Sequence, residues 1–341
     1  MSRDDSPIVR PVSDDEDYNW THRAFLQAFQ THSVMTVEVM KATLAAILTA
    51  QNPERPWSEA DITQPQLTNA IQTINAKLEA FDFEIRNTRD QRDRSVLYAL
   101  VNNTSDSLTQ FATKFSAAEI AYIRRLLDYM FDTNNTRTRE VMAVKHTEAS
   151  QLARPSRRNR HSQFSGPTAD EEANTQTQSQ THTSSSDPGI TIQEADTILT
   201  TLVQQALLQK SRQGYFSLAP RALMELRAYL KETYNESVDD ADETDDANGS
   251  SLARIRIHDC EGCREIVTYG IRCNRRECGV RWHDACANGF YRGKGREGRK
   301  CPGCGTECSG DVYVGERADR VAAGGRRGML ARDEDEEEEE E

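Results

Sequence analysis

CEGCREIVTYGIRCNRRECGVRWHDACANGFYRGKGREGRKCPGC, residues 260–304, holds seven of the chain's eight cysteines, and the preceding 259 residues have none. Its spacing is Cys260-x2-Cys263-x9-Cys273-x4-Cys278-x4-His283-x2-Cys286-x14-Cys301-x2-Cys304. Four pairs make eight ligands, enough for two tetrahedral zinc ions with closed shells. A two-residue gap lets two thiolates of one knuckle converge on one ion, and Pro302 and Gly303 suit the turn between Cys301 and Cys304. A module of about 60 residues is marginal on its core alone, whereas a structural zinc contributes roughly 10 to 16 kcal/mol. Removing a ligand should therefore unfold it. Filled shells leave no open coordination position, so the zinc is expected to be structural and no catalytic residue is assigned. Cys308 is left over as a free thiol, and His258 is a poor stand-in ligand.

An even cysteine count could instead mean disulfides in a secreted chain. The start, MSRDDSPIVRPVSDDEDYNW (residues 1–20), is acidic and lacks the basic flank and apolar core of a secretory signal. No apolar run approaches membrane-span length, so no membrane role is expected. By analogy with known cross-braced zinc modules, Cys260, Cys263, His283 and Cys286 would share one ion, and Cys273, Cys278, Cys301 and Cys304 the other. The PHD finger and the C4HC3 RING variant both use this row. A PHD finger usually places an aromatic residue two positions before its seventh ligand, where this chain has Arg299. The basic run Arg292, Lys294, Arg296, Arg299 and Lys300 also suits a cationic lysine tail badly, so RING-like is preferred.

Working outward, residues 236–250 carry seven carboxylates in fifteen positions, a solvated acidic linker (236–252). Residues 161–188 contain only three apolar side chains and cannot bury a core, so a disordered insertion is expected at about 153–189. The chain ends in nine consecutive carboxylates, residues 333–341, which account for most of its net charge of −13. A disordered leader (1–17) and tail (315–341) complete the polar material. The remainder is helical by period: Phe25, Leu26 and Phe29; Val37, Met40, Leu44, Ile47 and Leu48; Leu67, Ile71, Ile74 and Leu78. Phe81, Phe83 and Ile85, then Val96, Tyr98 and Leu100, alternate with period two around a polar turn at residues 90–93. Three helices and a hairpin suggest a winged helix at 18–103.

The pattern recurs over 104–235. Ile120, Ile123, Leu126, Leu127, Met130 and Phe131 line one helix, and a second is expected from Arg137 to about Leu152. Ala195, Ile198, Leu199, Leu202, Val203 and Ala206 mark another. A short strand at 214–218 and a helix opened by Pro220 with Leu223, Leu226 and Leu230 follow. The fold class expected is α+β, tandem winged-helix domains followed by a small cross-braced RING-like zinc domain at 253–314. Residues 18–102 carry eight basic and nine acidic groups, and 106–153 six of each. An electrostatic DNA footprint needs a basic excess, so direct DNA contact should be weak or absent and protein docking the main role.

HRAFLQAF (22–29), FEIRNTRDQ (83–91), YALVN (98–102), NNTRTREVMAV (134–144), GYFSLAPRALMELRAYL (214–230), CGVRWHDAC (278–286) and FYRGKGREGRKCPGC (290–304) stand in this order. Together they resemble the RING-like non-SMC-element subunit, the first of that series, of the SMC five/six chromosome-maintenance complex. The resemblance implies winged helices docked on a MAGE-family subunit, with a kleisin subunit completing a trimer. It implies ubiquitin-ligase activity stimulated by the MAGE partner, in DNA repair and recombination on chromosomes in the nucleus. A RING ligase forms no covalent intermediate; it orients a ubiquitin-charged conjugating enzyme for attack by a lysine. The residue after the first ligand, commonly apolar, is Glu261, and the one after the last, often arginine, is Gly305. Ile266, Phe290 and Tyr291, with Trp282, are the apolar candidates for a recruiting surface. A non-catalytic zinc-stabilised scaffold, or a PHD-like peptide binder, is the alternative.

Overall fold

The structure is a computed structural model that describes residues 18–103, 114–155, 189–235, 255–295 and 298–319. The expected leader and linker, and most of the insertion and tail, lie outside these residues. The chain divides into two compact units, one of residues up to 90 with 95–104, the other of residues 91–94 with those from 105 onward.

In the first unit, α1 (Trp20–Thr31) begins where the Asn19 side chain accepts from the Thr21 amide. The short β1 (Met35–Thr36) leads into α2 (Val37–Gln51), capped by Thr36. Thr63 and Gln66 cap α3 (Gln64–Leu78) reciprocally, and Pro65 sits in its first turn, where a missing N–H costs nothing. The strands β2 (Phe83–Arg89) and β3 (Val96–Asn102) form an antiparallel hairpin, with β1 on the far side of β3. Phe25, Phe29, Met40, Leu44, Leu67, Ile74 and Ile85 share one core, the winged-helix pattern read from the periodicity. The Asn75 side chain accepts from the Ile85 amide at 2.8 Å and donates to its carbonyl at 3.0 Å, welding α3 to β2. Phe81 and Phe83 do not join the core. Phe81 is 70% exposed, because the chain turns through a left-handed Asp82 before the strand begins.

The second unit opens with α4 (Ala117–Asp128), whose Tyr122, Ile123, Leu126 and Leu127 are buried. The helix expected over 137–152 is not formed; only α5 (His146–Gln151) is helical there, preceded by β4 (Val144–Lys145). Four consecutive residues, Val141 to Val144, are buried, which no single helix face could achieve, and Met142 takes a positive φ of 45°. Helix α6 (Ile192–Gln204) runs into a hairpin of β5 (Leu208–Lys210) and β6 (Tyr215–Leu218), with β4 paired to the other edge of β6. The helix expected from Pro220 is two, α7 (Pro220–Glu225) and α8 (Arg227–Tyr234), broken at Leu226. Leu223, Leu226 and Leu230 are still all buried.

Residues 255–319 pack on this winged helix rather than forming a body of their own, sharing its core through Ile257, Val267 and Val314. Their sheet has the order β8 (Arg281–Trp282), β7 (Gly270–Arg272), β9 (Tyr313–Val314), all antiparallel. Glu140, on the winged helix, is only 4% exposed and lies between Arg272 and Arg281 of the sheet, which are 5% and 3% exposed. Arg281 donates from Nε and Nη2 to the two Glu140 oxygens at 2.8 and 2.6 Å, and Arg272 Nη1 donates at 3.1 Å. The two terminal nitrogens of Arg272 also donate to the carbonyls of Arg137 and Thr138, and Arg281 Nη1 donates to those of Cys278 and Val280.

The first five residues of the tail expected from 315 are folded; the rest lies outside the described residues. Lys145 and Arg139 pair with Asp319 at 2.8 and 3.0 Å, Tyr215 donates to the same carboxylate, and Arg317 pairs with Asp284. These partners lie on the folded part of the chain, so residues 315–319 are fastened to it.

Removing Glu140 would leave two buried guanidinium groups without a counter-charge, a change that typically costs about 3–5 kcal/mol. Glu140→Ala is therefore expected to lower the thermal midpoint of the intact protein by several degrees, while Glu232→Ala, at an exposed position of α8, should change it far less. Differential scanning calorimetry of the two variants checks this.

Candidate metal centre

The four pairs of ligands sit where β7, β8 and one short helix meet. Helix α9 (Asp284–Phe290) starts immediately after β8, so His283 is its N-cap residue and Cys286 lies in its first turn. Strand β7 passes so close to β8 that a Cβ on Gly270 would stand 2.0 Å from the Trp282 carbonyl oxygen. Only glycine fits there.

Cys260, Cys263, His283 and Cys286 form one cluster, and Cys273, Cys278, Cys301 and Cys304 the other. Within each, the ligand atoms lie within 4.8 Å of one another. Cys263 Sγ is 3.2 Å from His283 Nδ1, Cys273 Sγ is 3.5 Å from Cys304 Sγ, and Cys278 Sγ is 3.6 Å from Cys301 Sγ. A tetrahedron with zinc–sulfur bonds of about 2.3 Å has edges near 3.8 Å, so these separations suit a single ion per cluster. The donor sets, three thiols with one imidazole and four thiols, are those of closed structural zinc sites. Burial pushes the Cys273 and Cys286 thiols above the ordinary range, and a divalent cation is what would draw them to thiolates. The two clusters are thus compatible with two zinc ions.

With His283 Nδ1 facing the thiols, its Nε2 stands 3.2 Å from the Ile266 carbonyl, an outer hydrogen bond that fixes tautomer and ring plane. The same carbonyl accepts from Gln91 Nε2 at 2.9 Å, while Gln91 Oε1 accepts from the Thr268 and Tyr269 amides at 3.0 and 2.9 Å. Gln91 belongs with this unit, and nothing in its neighbourhood in the sequence marks it for that task. Glu140 is equally inconspicuous, one acidic residue in a polar loop.

Cys308 and His258 stand outside both clusters. Burial beside Arg281 holds the His258 imidazole down at about 4, a neutral ring at physiological pH. Of the three recruiting candidates, Ile266 and Tyr291 are 2% and 6% exposed and belong to the core, because a module this small has few other side chains to fill it. Phe290, 39% exposed, remains at the surface, its ring 4.7 Å from that of Trp282. Phe290 lines a groove of about 370 Å³ with Glu261, Gly262, Trp282, Gly289 and Pro302, between the loops that carry Cys263 and Cys301.

Elemental analysis of the purified chain should find two equivalents of zinc. Cys308→Ser should leave both, whereas Cys273→Ser should lose the ion of its cluster; a changed count in Cys308→Ser would show the ligand sets to be wrong.

Residues 22–226 match the family model described as the Nse1 non-SMC component of the SMC5-6 complex, and residues 260–304 match the RING-like domain. The non-structural maintenance of chromosomes element 1 homolog of Homo sapiens is 23% identical over 286 residues, which cover 83% of this chain and 82% of that protein. The element 1 protein of Schizosaccharomyces pombe is 21% identical over 218 residues, 64% of this chain and 69% of its own. A solved Nse1-Nse3-Nse4 complex contains a chain of the same fold, with a TM-score of 0.57 and 19% identity over 84% of this chain and 95% of that one. With more than half of its length matched by one family model and the zinc row by a second, the chain belongs to the Nse1 family of SMC5-6 components, with a RING-like domain at its metal centre.

Proposed function

We propose that this chain is a RING-type ubiquitin-transfer subunit of an SMC5-6 complex, docked through its winged helices on the MAGE-family Nse3 and kleisin Nse4 partners. Its setting is chromosome-associated, in the nucleus, in DNA repair and recombination. Family membership and the fold likeness to a chain of an Nse1-Nse3-Nse4 complex support the partners. The near-cancelling charges of the winged helices favour protein docking over a phosphate backbone.

The observation that carries the transferase reading is the groove at Phe290, between the two ligand-bearing loops. Bound zinc would hold those loops rigid. The groove would receive the conjugating enzyme, and the chain would act by orientation alone. The acceptor lysine amine attacks the ubiquitin thioester carbonyl, the amide bond forms, and the conjugating enzyme's cysteine leaves as thiolate. Two features weaken the surface. Glu261, where an apolar contact is usual, pairs with Arg264 at 3.1 Å. Gly305, in the position of the common ubiquitin-clamping arginine, has a φ of 69°, a conformation strained for any side chain even though the space beside it is open. Activity is accordingly low without the MAGE partner, which raises it by completing or orienting the recruiting face.

The burial of Arg272 and Arg281 against Glu140 favours a second reading, a non-catalytic scaffold whose zinc module stiffens the winged helix. Discharge of ubiquitin from charged conjugating enzymes onto free lysine separates the two. Wild type with the MAGE partner should discharge faster than wild type alone, and Phe290→Ala should slow it about ten-fold, equivalent to ~1.4 kcal/mol at the interface, with zinc content unchanged. Should the complex discharge no faster than a Cys273→Ser complex across a broad panel of conjugating enzymes, the scaffold reading stands.

A further inference from the structure

A second cleft, of about 450 Å³, opens on the zinc module between α9 and the segment 308–317. Among the described residues its lining includes Arg292, Lys294, Arg299 and Arg317, with Asp284 as the one carboxylate, a net charge of +3. Arg317 answers Asp284 at 2.8 Å. Arg292, Lys294 and Arg299 are exposed, and no carboxylate among the described residues pairs with them. The Lys294 ammonium rests over the Phe290 ring at 4.2 Å, which orients it without neutralising it. Neither the zinc clusters nor the Phe290 groove uses these cations.

The same chain contains a ligand of opposite charge, the nine consecutive carboxylates of residues 333–341. Asp319 is fastened by Lys145, Arg139 and Tyr215, and Arg317, two residues earlier, lines the cleft itself. The described residues therefore end at Asp319, close in sequence to the cleft lining. Residues 320–332 intervene, and thirteen residues reach at most about 45 Å. A module of 60 residues has a radius of gyration of only about 10 Å, so the carboxylate run is within reach of the cleft, at an effective concentration in the millimolar range. We propose that the cleft is an acidic-peptide site and that the chain's own run of residues 333–341 occupies it in cis. An acidic segment of a partner would have to displace that run, which makes the site self-screening.

The test uses the zinc-loaded full chain, a chain ending at Arg332, and a fluorescent peptide of sequence DEDEEEEEE. Anisotropy titrations should show the peptide binding the shortened chain at least ten-fold more tightly than the full chain, with affinity falling as salt rises. Arg292→Gln, Lys294→Gln and Arg299→Gln together should abolish binding to the shortened chain while two zinc equivalents remain. Equal affinity for the two chains, or undiminished binding by a zinc-replete triple variant, overturns the proposal. Zero-length carbodiimide cross-linking of the full wild-type chain is a second reading that needs no variant. Lys294 or Lys300 should join to carboxylates of 333–341, and cross-links from these lysines only to the acidic residues 236–246 would assign the site to the other acidic run and overturn the proposal.

Discussion

A single carboxylate buried between two guanidinium groups holds the zinc module to the winged helix beneath it. Glu140, Arg272 and Arg281 are each at most 5% exposed, and all three nitrogens of the Arg281 guanidinium and both terminal nitrogens of Arg272 donate to Glu140 or to a backbone carbonyl. Ion groups removed from water are tolerable only when their hydrogen bonding is completed in this way. Arg281 is in β8, one residue before Trp282 and two before His283, so the anchor and a metal ligand share a strand end. Orientation of the winged helix and geometry of the metal centre are therefore coupled through a few covalent bonds.

That coupling changes what the zinc module is. An acidic linker is expected at 236–252, and the residues from 255 onward bury against the winged helix. Arg227 and Lys231 of α8 converge on Asp259, Asn235 takes the Arg256 and Ile257 amides, and β9 closes the sheet beside Glu140. Any surface of the zinc module is thereby held in fixed relation to the winged helix it packs on. For a reaction that proceeds by orientation of two proteins, a rigid relation of this kind is the property that matters.

The two grooves of the zinc module divide its chemistry. The one at Phe290 is bordered by glycines, Pro302, aromatic rings and Glu261, and the one beside α9 by arginines and a lysine with Asp284. Lys294, over the Phe290 ring, sits at the boundary between them. An anionic chain held in the second groove would alter the electrostatic field felt at the first.

Much of this was legible in the amino-acid order. Cysteine spacing marked the eight ligand positions because zinc ligation needs close pairs, and pairs are local in sequence; their division into two clusters rested on analogy with cross-braced modules, and the folded chain groups them in the same two sets. Helices α1 to α4 and α6 followed from apolar periods because each buries a single face. The reading failed where burial was decided at long range. Val141 to Val144 are extended because neighbours on several sides enclose them, and Ile266 and Tyr291 are core because a small module must fill its centre with whatever apolar side chains it has. Gln91 and Glu140 fall inside segments that resemble the family, but nothing local to them or to Asp319 points to their partners. Their partners stand more than a hundred residues away, at Arg281, Thr268 and Lys145, and only the folded chain brings them within hydrogen-bonding distance. Sequence by itself determined the row of candidate metal ligands and most of the helices and the first hairpin, since both rest on short-range spacing. Tertiary structure decided how the zinc module is anchored and which apolar side chains face out, since each depends on contacts between residues far apart in the chain.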